Sequence, residues 1–273
     1  MVPTVDVNGA RIPAVGMGTM TLKEGVCVEA VSTALRQGYR HLDTAQMYGN
    51  EREVGEGLRA SGIKRDEVFV TTKVWFDKLA ADDFERSVDE SLKKLGLSNV
   101  DLLLIHWPNP KVPMAESVGA LCKTKRAGLT RHIGVANHTV ALLDEATRVA
   151  TEPLVTNQIE VHPFLDQSTV IAATRKHGIS VTAYCPVGRG KIPGSEVLAT
   201  IGKAHNKSPA QVSLRYLVQQ GIIPIPRTAT PAHLAENLAV FDFKLSDAEM
   251  AEIGKLKRPD GRIVSPPHHP QWD

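Results

Sequence analysis

Four side chains in the first 106 residues have the types needed to move a proton: a carboxylate, a phenol, an ammonium and an imidazole. They are Asp43, Tyr48, Lys73 and His106. Each stands at the carboxyl end of a strand-like run, or in the loop just after it. A cation within about 4–6 Å lowers a phenol pKa by one to three units. These residues therefore predict a tuned proton donor, which is what the reduction of a carbonyl requires.

The charges suggest a role for each group. Lys73 is the candidate cation, and Asp43 would keep the ammonium charged and in place. His106 would hydrogen-bond the phenol oxygen and orient the substrate carbonyl. Tyr48 would then protonate the developing alkoxide while a hydride reaches the carbonyl carbon. Each residue alone is more often structural, and it is the joint arrangement that favours catalysis.

The elements that position these groups alternate between apolar runs and amphipathic segments. A hairpin is predicted over residues 4–12, turning at Asn8-Gly9. Eight strands are predicted near residues 14–18, 39–43, 68–73, 100–106, 132–137, 154–160, 180–184 and 222–226. Helices are predicted between them, over residues 29–37, 51–61, 82–95, 114–127, 139–147, 168–177 and 195–205. Glycines 38, 96, 128 and 178 stand where helices are expected to end.

Strict alternation of strand and helix predicts a parallel sheet, and eight units predict an α/β fold of the (β/α)8 TIM-barrel class. A doubly wound sheet would carry a Gly-x-Gly-x-x-Gly turn after an early strand, and Gly16-Met-Gly18 lacks the third glycine. No Pro-, Gly- or Ser-rich linker divides the chain. We expect one domain over residues 1–273, with the hairpin at its start and a short tail at its end.

Composition narrows the class of protein further. The net charge of +2, with Lys and Arg scattered, gives no electrostatic reason to expect a nucleic-acid or membrane partner. Three cysteines without a Cys-x-x-Cys pair fit a reducing compartment. The amino terminus does not resemble a signal peptide, and no apolar run approaches the roughly 20 residues that span a bilayer. We therefore expect a cytoplasmic protein.

Several ordered blocks make the whole chain resemble the aldo-keto reductase family. They are Gly38-Tyr-Arg-His-Leu-Asp-Thr-Ala45, Tyr48-Gly-Asn-Glu51, Thr72-Lys73, Asp101-Leu-Leu-Leu-Ile-His-Trp-Pro108, Gly134-Val-Ala-Asn137 and Thr156-Asn-Gln-Ile-Glu160. Within the family the chain is most similar to the short bacterial 2,5-diketo-D-gluconate reductases of B type, also described as methylglyoxal reductases. The resemblance implies a monomeric enzyme that acts on a small-molecule carbonyl substrate.

The resemblance also implies NADPH as cofactor, bound in extended form. By matching positions, Asn137 and Gln158 would hold the nicotinamide carboxamide, and Tyr184 would stack on the nicotinamide ring. The loop Pro186-Val-Gly-Arg-Gly-Lys191 would follow the pyrophosphate, with Arg189 or Lys191 supplying charge. The remaining matched positions are Arg227 and Thr228 for the 2′-phosphate and Glu236 and Asn237 for adenine.

This chain departs from the family pattern at four positions. Ala136 and Cys185 replace serines that contact the cofactor, and His138 replaces a phenylalanine. His233 stands where an arginine often clamps the 2′-phosphate. A neutral imidazole gives up a bidentate contact of permanent charge, so we predict a weakened NADPH preference with NADH also usable.

Four apolar side chains should line the substrate entrance, because they follow the ends of the first, third and fourth barrel strands. They are Met20, Trp75, Phe76 and Trp107. The tail over residues 262–273 is short, which predicts an open mouth suited to small aldehydes, α-dicarbonyls and keto-sugars. His268 and His269 lack the spacing and the partners of a zinc site, so no metal is expected.

Two other functions fit parts of the pattern. Lys73 could form a Schiff base in a cofactor-free aldolase, since barrels host many chemistries. The amides of Asn137 and Gln158, together with Arg227, favour a nucleotide cofactor instead. The chain could also be a non-catalytic module that senses nicotinamide nucleotides. The presence of all four catalytic residue types counts against this second alternative.

Overall fold

Eight parallel strands close into a barrel in the computed structural model, which describes residues 2–258 and 260–273. The sheet runs in chain order through β3 (Met17–Gly18), β4 (His41–Asp43), β5 (Phe69–Val74), β6 (Val100–Ile105), β7 (Thr130–Ala136), β8 (Leu154–Glu160), β9 (Ser180–Tyr184) and β10 (Ile223–Pro224). Backbone bonds of 3.0 Å from Gly16 N to Pro224 O and from Gly18 N to Pro226 O join the first strand to the last. The predicted (β/α)8 barrel is confirmed.

Ten helices surround or extend the barrel. They are α1 (Glu24–Gln37), α2 (Glu51–Ala60), α3 (Ala81–Leu95), α4 (Met114–Arg126), α5 (Val140–Val149), α6 (Ser168–Lys176), α7 (Glu196–His205), α8 (Pro209–Gln219), α9 (Pro231–Leu238) and α10 (Asp247–Gly254) within the described residues. The sequence patterns predict the first seven of these helices. The start signals of α8 and α10 are nevertheless clear, since Ser208 with Gln211 and Ser246 with Glu249 form reciprocal capping boxes.

The amino-terminal end of the barrel is closed by the predicted hairpin, formed by β1 (Thr4–Val7) and β2 (Ala10–Pro13). Asn8 and Gly9 have φ values of 46° and 82°, as a two-residue turn with two left-handed positions requires. Ala10 and Ile12 are buried against Phe69 and other barrel residues. The hairpin therefore seals one end, and the opposite end is left for the polar side chains.

The buried central strands fix the positions of the polar side chains at their carboxyl ends. All six residues of β5 and all six of β6 are buried, as expected for central strands covered on both faces. A parallel sheet directs the carboxyl ends of its strands to one edge. Residues that follow Asp43, Val74 and Ile105 in the chain thus meet at a single rim.

Candidate active site

Lys73 and Asp43 form an ion pair at the carboxyl rim of the barrel. Thr71 pairs with Asp43 across β4 and β5, and Lys73 projects from the same face two residues farther along. Lys73 Nζ lies 2.5 Å from Asp43 Oδ1 and donates to Thr44 O at 2.8 Å. Both side chains are buried, with at most 1% of their surface exposed. A buried ammonium needs such partners, because an unpaired one would be strongly destabilising.

Tyr48 places its phenol against this pair. Its oxygen lies 3.4 Å from Lys73 Nζ, which also stands 5.0 Å from the ring centroid. The loop that carries Tyr48 is fixed by Gln46, whose amide donates to Ser87 O and accepts from Trp75 N, at 3.0 and 2.9 Å. The ammonium therefore contacts the carboxylate on one side and the phenol on the other.

His106 completes the group at the end of β6. Its backbone N–H donates to Val74 O at 3.0 Å, and its ring meets that of Tyr48 edge-on at a centroid distance of 5.7 Å. Burial, followed by the charge of Lys73, lowers the pKa of His106 well below its usual value. The imidazole is therefore neutral at pH 7 and offers one N–H donor.

The pKa of Tyr48 is shifted in the opposite direction to the one expected from a nearby Lys73. Burial raises the pKa of the phenol well above its ordinary value, and the carboxylate of Asp43 adds to that effect. Burial likewise lowers the pKa of Lys73, against the opposing attraction of Asp43. The charge of Arg189 opposes the rise in the pKa of Tyr48, but burial outweighs it, so that the phenol keeps its proton at neutral pH.

The two amides expected to bind a carboxamide are tied to these four residues. Gln158 Nε2 donates to Asp43 Oδ2 at 2.8 Å, which occupies the carboxylate oxygen that Lys73 leaves unused. Asn137, at φ 59°, donates to His106 O at 2.9 Å and accepts from Tyr184 Oη at 2.7 Å. Asn and Asp tolerate this left-handed conformation better than most residues. The amides thus bridge the proton-donor group and Tyr184.

A cavity of about 520 Å³ opens beside these residues. Its lining includes eleven of the predicted site residues: Asp43, Tyr48, His106, Met20, Trp75, Trp107, Asn137, Gln158, Tyr184, Arg189 and Arg227. Lys73 does not belong to the lining, because it lies behind Tyr48. The cavity is large enough for a small ligand together with part of a larger one.

One side of the cavity follows the loop after β9. Cys185 and Arg189 lie in its wall with φ values of 51° and 47°. Burial raises the pKa of the Cys185 thiol, and Arg189 opposes this by its charge and a hydrogen bond. Arg189 and Arg227 supply the cationic groups of the wall, as an anionic ligand would require.

Four residues predicted to contact adenosine lie apart from this lining: Thr228, His233, Glu236 and Asn237. Thr228 Oγ1 accepts from Thr230 N at 3.0 Å, and His233 and Glu236 are exposed on α9. Asn237 is buried on the same helix, where the phenol of Tyr39 donates to Leu234 O at 3.2 Å. The adenosine contacts stay predictions.

The carboxyl-terminal tail lies against the cavity and forms part of its wall. Val264 and Pro266 line the cavity. The imidazole of His268 stacks on Phe76 at 4.2 Å and meets Trp75 and Trp107 edge-on at 5.2 and 5.3 Å. Phe76 therefore packs between the tail and Trp75, and its place at the substrate entrance stays a prediction. A contact between residues almost 200 positions apart left no local signal in the sequence.

Within residues 2–258 and 260–273, no group of three or more His, Cys, Asp or Glu side chains could hold a metal ion. His268 is enclosed by aromatic rings, and His269 stacks on Trp272 at 5.6 Å.

In the same described part of the chain, no helix is long and apolar enough to cross a membrane.

The class of protein is indicated by four residues at the carboxyl rim of the barrel, Asp43, Tyr48, Lys73 and His106. Sequence comparison identifies the family. The model of the aldo/keto reductase family matches residues 14–258. The chain belongs to the aldo/keto reductase family and is thus an oxidoreductase of the carbonyl-reducing type.

The sequences of individual relatives can be aligned with nearly the whole chain. Methylglyoxal reductase DkgB of Yersinia pestis is 43% identical over 266 residues, which cover 96% of this chain and 99% of the relative. A 9,11-endoperoxide prostaglandin H2 reductase of Trypanosoma cruzi is 40% identical, covering 95% and 93%.

Solved structures match as closely. A crystal structure provisionally described as 2,5-diketo-D-gluconic acid reductase B has 49% identity and a TM-score of 0.98, covering 100% of this chain and 98% of that one. An aldo-keto reductase of Bombyx mori in complex with NADP has 35% identity and a TM-score of 0.91, covering 98% and 96%.

Proposed function

We propose that this protein reduces small aldehydes and α-dicarbonyls, with methylglyoxal and 2,5-diketo-D-gluconate as candidate substrates and NADPH as the reductant. It would act as a monomer in the cytoplasm. The observation that carries the proposal is the placement of Tyr48 between the Lys73–Asp43 pair and His106, at the wall of a cavity of about 520 Å³. The names of the relatives favour this substrate class.

The cavity suits the nicotinamide and phosphate portion of an extended dinucleotide beside a small carbonyl. Polar amides and the ring of Tyr184 lie near Tyr48, and Arg189 and Arg227 lie in the same wall. Gln158 uses only its Nε2 on Asp43, so its Oε1 is left to accept from a carboxamide. Tyr184, held by Asn137, would provide the stacking surface, while the two guanidinium groups would take the phosphates.

A bound nicotinamide would supply the hydride, and the protein would supply the proton. His106, neutral because burial lowers its pKa, would donate a hydrogen bond that orients the substrate carbonyl. Tyr48 would transfer its phenolic proton to the alkoxide as charge develops there. The ammonium of Lys73, 3.4 Å from the phenol oxygen, would stabilise the phenolate that remains. General acid catalysis of this kind contributes about 10²- to 10⁴-fold.

The high pKa of Tyr48 in the protein alone is compatible with this role. A general acid must carry its proton before the reaction, and burial ensures that it does. The stabilisation by Lys73 matters once the proton has left, because two opposite charges would then face each other in a site of low dielectric constant. Lys73 would thus act mainly on the transition state.

Cofactor choice would rest on the segment after β10. Arg227, which lines the cavity, is the candidate for the 2′-phosphate, with Thr228 beside it. His233 is exposed on α9 and lacks the permanent charge of an arginine. NADH should therefore be usable beside NADPH.

The aldolase alternative is disfavoured by the surroundings of Lys73. A Schiff-base lysine must reach its substrate with a neutral amine. Lys73 is 0% exposed, holds Asp43 and Thr44, and lies outside the cavity wall. No comparable observation favours a non-catalytic nucleotide sensor.

The test is NADPH oxidation at saturating methylglyoxal, repeated with NADH and with 2,5-diketo-D-gluconate. Turnover with either carbonyl supports the proposal. Nearly equal efficiency with NADPH and NADH supports the cofactor hypothesis, and an NADPH preference above about a thousandfold would contradict it. Tight NADPH binding without turnover of any small carbonyl would contradict the enzymatic proposal and favour the sensor. Trapping of a substrate on Lys73 by borohydride would instead favour the aldolase.

A further inference from the structure

Glu160 is a buried carboxylate to which neither the fold nor the proposed chemistry gives a role. It is the last residue of β8 and 0% exposed. Its two oxygens accept from Ile263 N at 2.7 Å and Val264 N at 2.8 Å, and His162 Nε2 lies 2.9 Å from Oε1. Two of its three partners are therefore backbone amides of the carboxyl-terminal tail, residues 262–273.

Burial of this carboxylate depends on where the tail lies. A carboxylate removed from water is strongly destabilised unless it is hydrogen-bonded or paired. With the tail in place, the amides of Ile263 and Val264 meet that requirement. Without the tail, Glu160 would keep only His162 and would need water. The docked position of the tail and the hydrogen bonding of buried Glu160 therefore depend on each other.

The tail begins at a close approach that leaves little freedom. A Cβ on Gly261 would lie 1.9 Å from Phe164 O, so only glycine fits there. Arg258 N donates to the same carbonyl at 3.0 Å. The chain therefore enters the tail at a fixed point, and Glu160 holds the residues that follow immediately.

The far half of the tail is held by aromatic contacts and a helix cap. His268 stacks on Phe76, and the guanidinium of Arg262 lies 3.8 Å over the ring of Trp272. Asp273 Oδ2 accepts from Val140 N, the first residue of α5, at 3.0 Å. Between the two anchored regions, Val264 and Pro266 face the cavity.

We infer that Glu160 is a positioning residue that holds the tail as a wall of the substrate mouth and so limits the size of the carbonyl compound that enters. The inference rests on the proposed reductase function. Glu160 lies two residues beyond Gln158 on the same strand face, but it contacts the tail where Gln158 contacts Asp43. The end of β8 thus contacts the proton-donor group through Gln158 and the tail through Glu160.

The test compares Glu160→Gln with the wild-type chain and with Glu249→Gln, a matched change in a carboxylate that binds His205 and Ser246. Hydrogen exchange of the backbone amides of the tail should be much faster in Glu160→Gln. The carboxylate has two acceptor oxygens, whereas the glutamine side chain has one acceptor oxygen and one donor nitrogen. The KM for methylglyoxal should rise about tenfold, as expected for losing a bond to a charged group, with kcat and NADPH affinity within about twofold. The preference for 4-nitrobenzaldehyde over methylglyoxal should increase.

Ile263→Pro removes one tail donor without touching the barrel, so it keeps the test valid if Glu160→Gln folds poorly. It should reproduce the faster exchange and the higher KM. The double variant should show less than the sum of the single effects, because both changes break the same contact.

Unchanged tail exchange in both variants would overturn the inference, and so would faster exchange with an unchanged KM and size preference. A fall in kcat with KM constant would also overturn it, since it would place Glu160 in the chemistry. The exchange measurement needs no turnover. A wild-type chain inactive on every carbonyl would therefore contradict the proposed function while still revealing whether Glu160 holds the tail.

Discussion

Two buried aspartates, at opposite ends of the barrel, have the same chemistry and different surroundings. Asp101, near the start of β6, accepts from Val70 N at 2.9 Å and contacts Arg65 and Arg131 at 2.7 and 3.1 Å. Asp43, at the end of β4, contacts Lys73 at 2.5 Å and Gln158 at 2.8 Å. The first shares its charge with two arginines that reach water, whereas the second shares it with an ammonium that does not.

The difference lies in what the partner cation touches next. Arg65 and Arg131 continue toward solvent, so the charge at the amino-terminal end is satisfied locally. Lys73 continues toward the phenol of Tyr48, 3.4 Å away, which lines the cavity. A buried ion pair becomes part of a reaction site when one member keeps a contact with a group that can change its charge. Substitutions at the two ends of the barrel should therefore differ in their effects on rate and on stability.

The largest expected effect is that of Tyr48→Phe. Removing the phenolic proton should lower the single-turnover rate by about 10²- to 10⁴-fold, with cofactor affinity retained. Tyr216→Phe, in α8 and outside the cavity lining, is the matched control and should leave the rate unchanged. Stopped-flow nucleotide fluorescence measures both, and a Tyr48→Phe rate near the wild-type value would refute the role of the phenol.

The next effect is that of Lys73→Met, which should lower both rate and stability. The rate should fall by about 10²-fold or more, because the phenolate loses its stabilising charge. The free energy of unfolding should fall by about 3–5 kcal/mol, because Asp43 is left buried without its cation. Adding Asp43→Asn should recover much of the stability but not the rate. Recovery of both, in urea melts and single turnovers, would mean that the pair is only structural.

A smaller change is expected from His233→Arg. A bond to a charged group is worth about 1.5–3 kcal/mol, so the NADPH-to-NADH ratio of kcat/KM should rise about tenfold or more. Arg227→Leu should shift the ratio in the opposite direction. Steady-state kinetics with both cofactors measures these ratios, and a ratio unmoved by either change would place the 2′-phosphate elsewhere.

The smallest effect on activity is expected from Asp101→Asn. It should leave kcat/KM unchanged while lowering the free energy of unfolding by about 1–3 kcal/mol, because two arginines lose a charged acceptor. Asp6→Asn, in a pair whose side chains are largely exposed, should change little. A loss of activity in Asp101→Asn without loss of stability would remove the contrast between the two ends.

The sequence predicted that Asp43, Tyr48, Lys73 and His106 would lie close together, because they follow strand ends and strands are recognisable as short apolar runs. Asp43, Lys73 and His106 required only that the strands be parallel and adjacent. The tail contacts of His268 and the anchoring by Glu160 could not be predicted, since they join segments more than 100 residues apart. The pKa of Tyr48 was expected to fall, because a nearby cation can be inferred from sequence whereas the depth of burial cannot.

The pH dependence of the single-turnover rate tests most directly whether protonated Tyr48 is the acid. Its pKa is raised, so the active form is present below that pKa and is lost as pH rises through it. The lowered pKa of His106 keeps the imidazole neutral over the same range. The rate should be constant from about pH 6 to 9 and decline only near or above the ordinary tyrosine value of about 10. A rate that increased with pH between 6 and 9 would mean that a deprotonated group does the work, and would contradict the account.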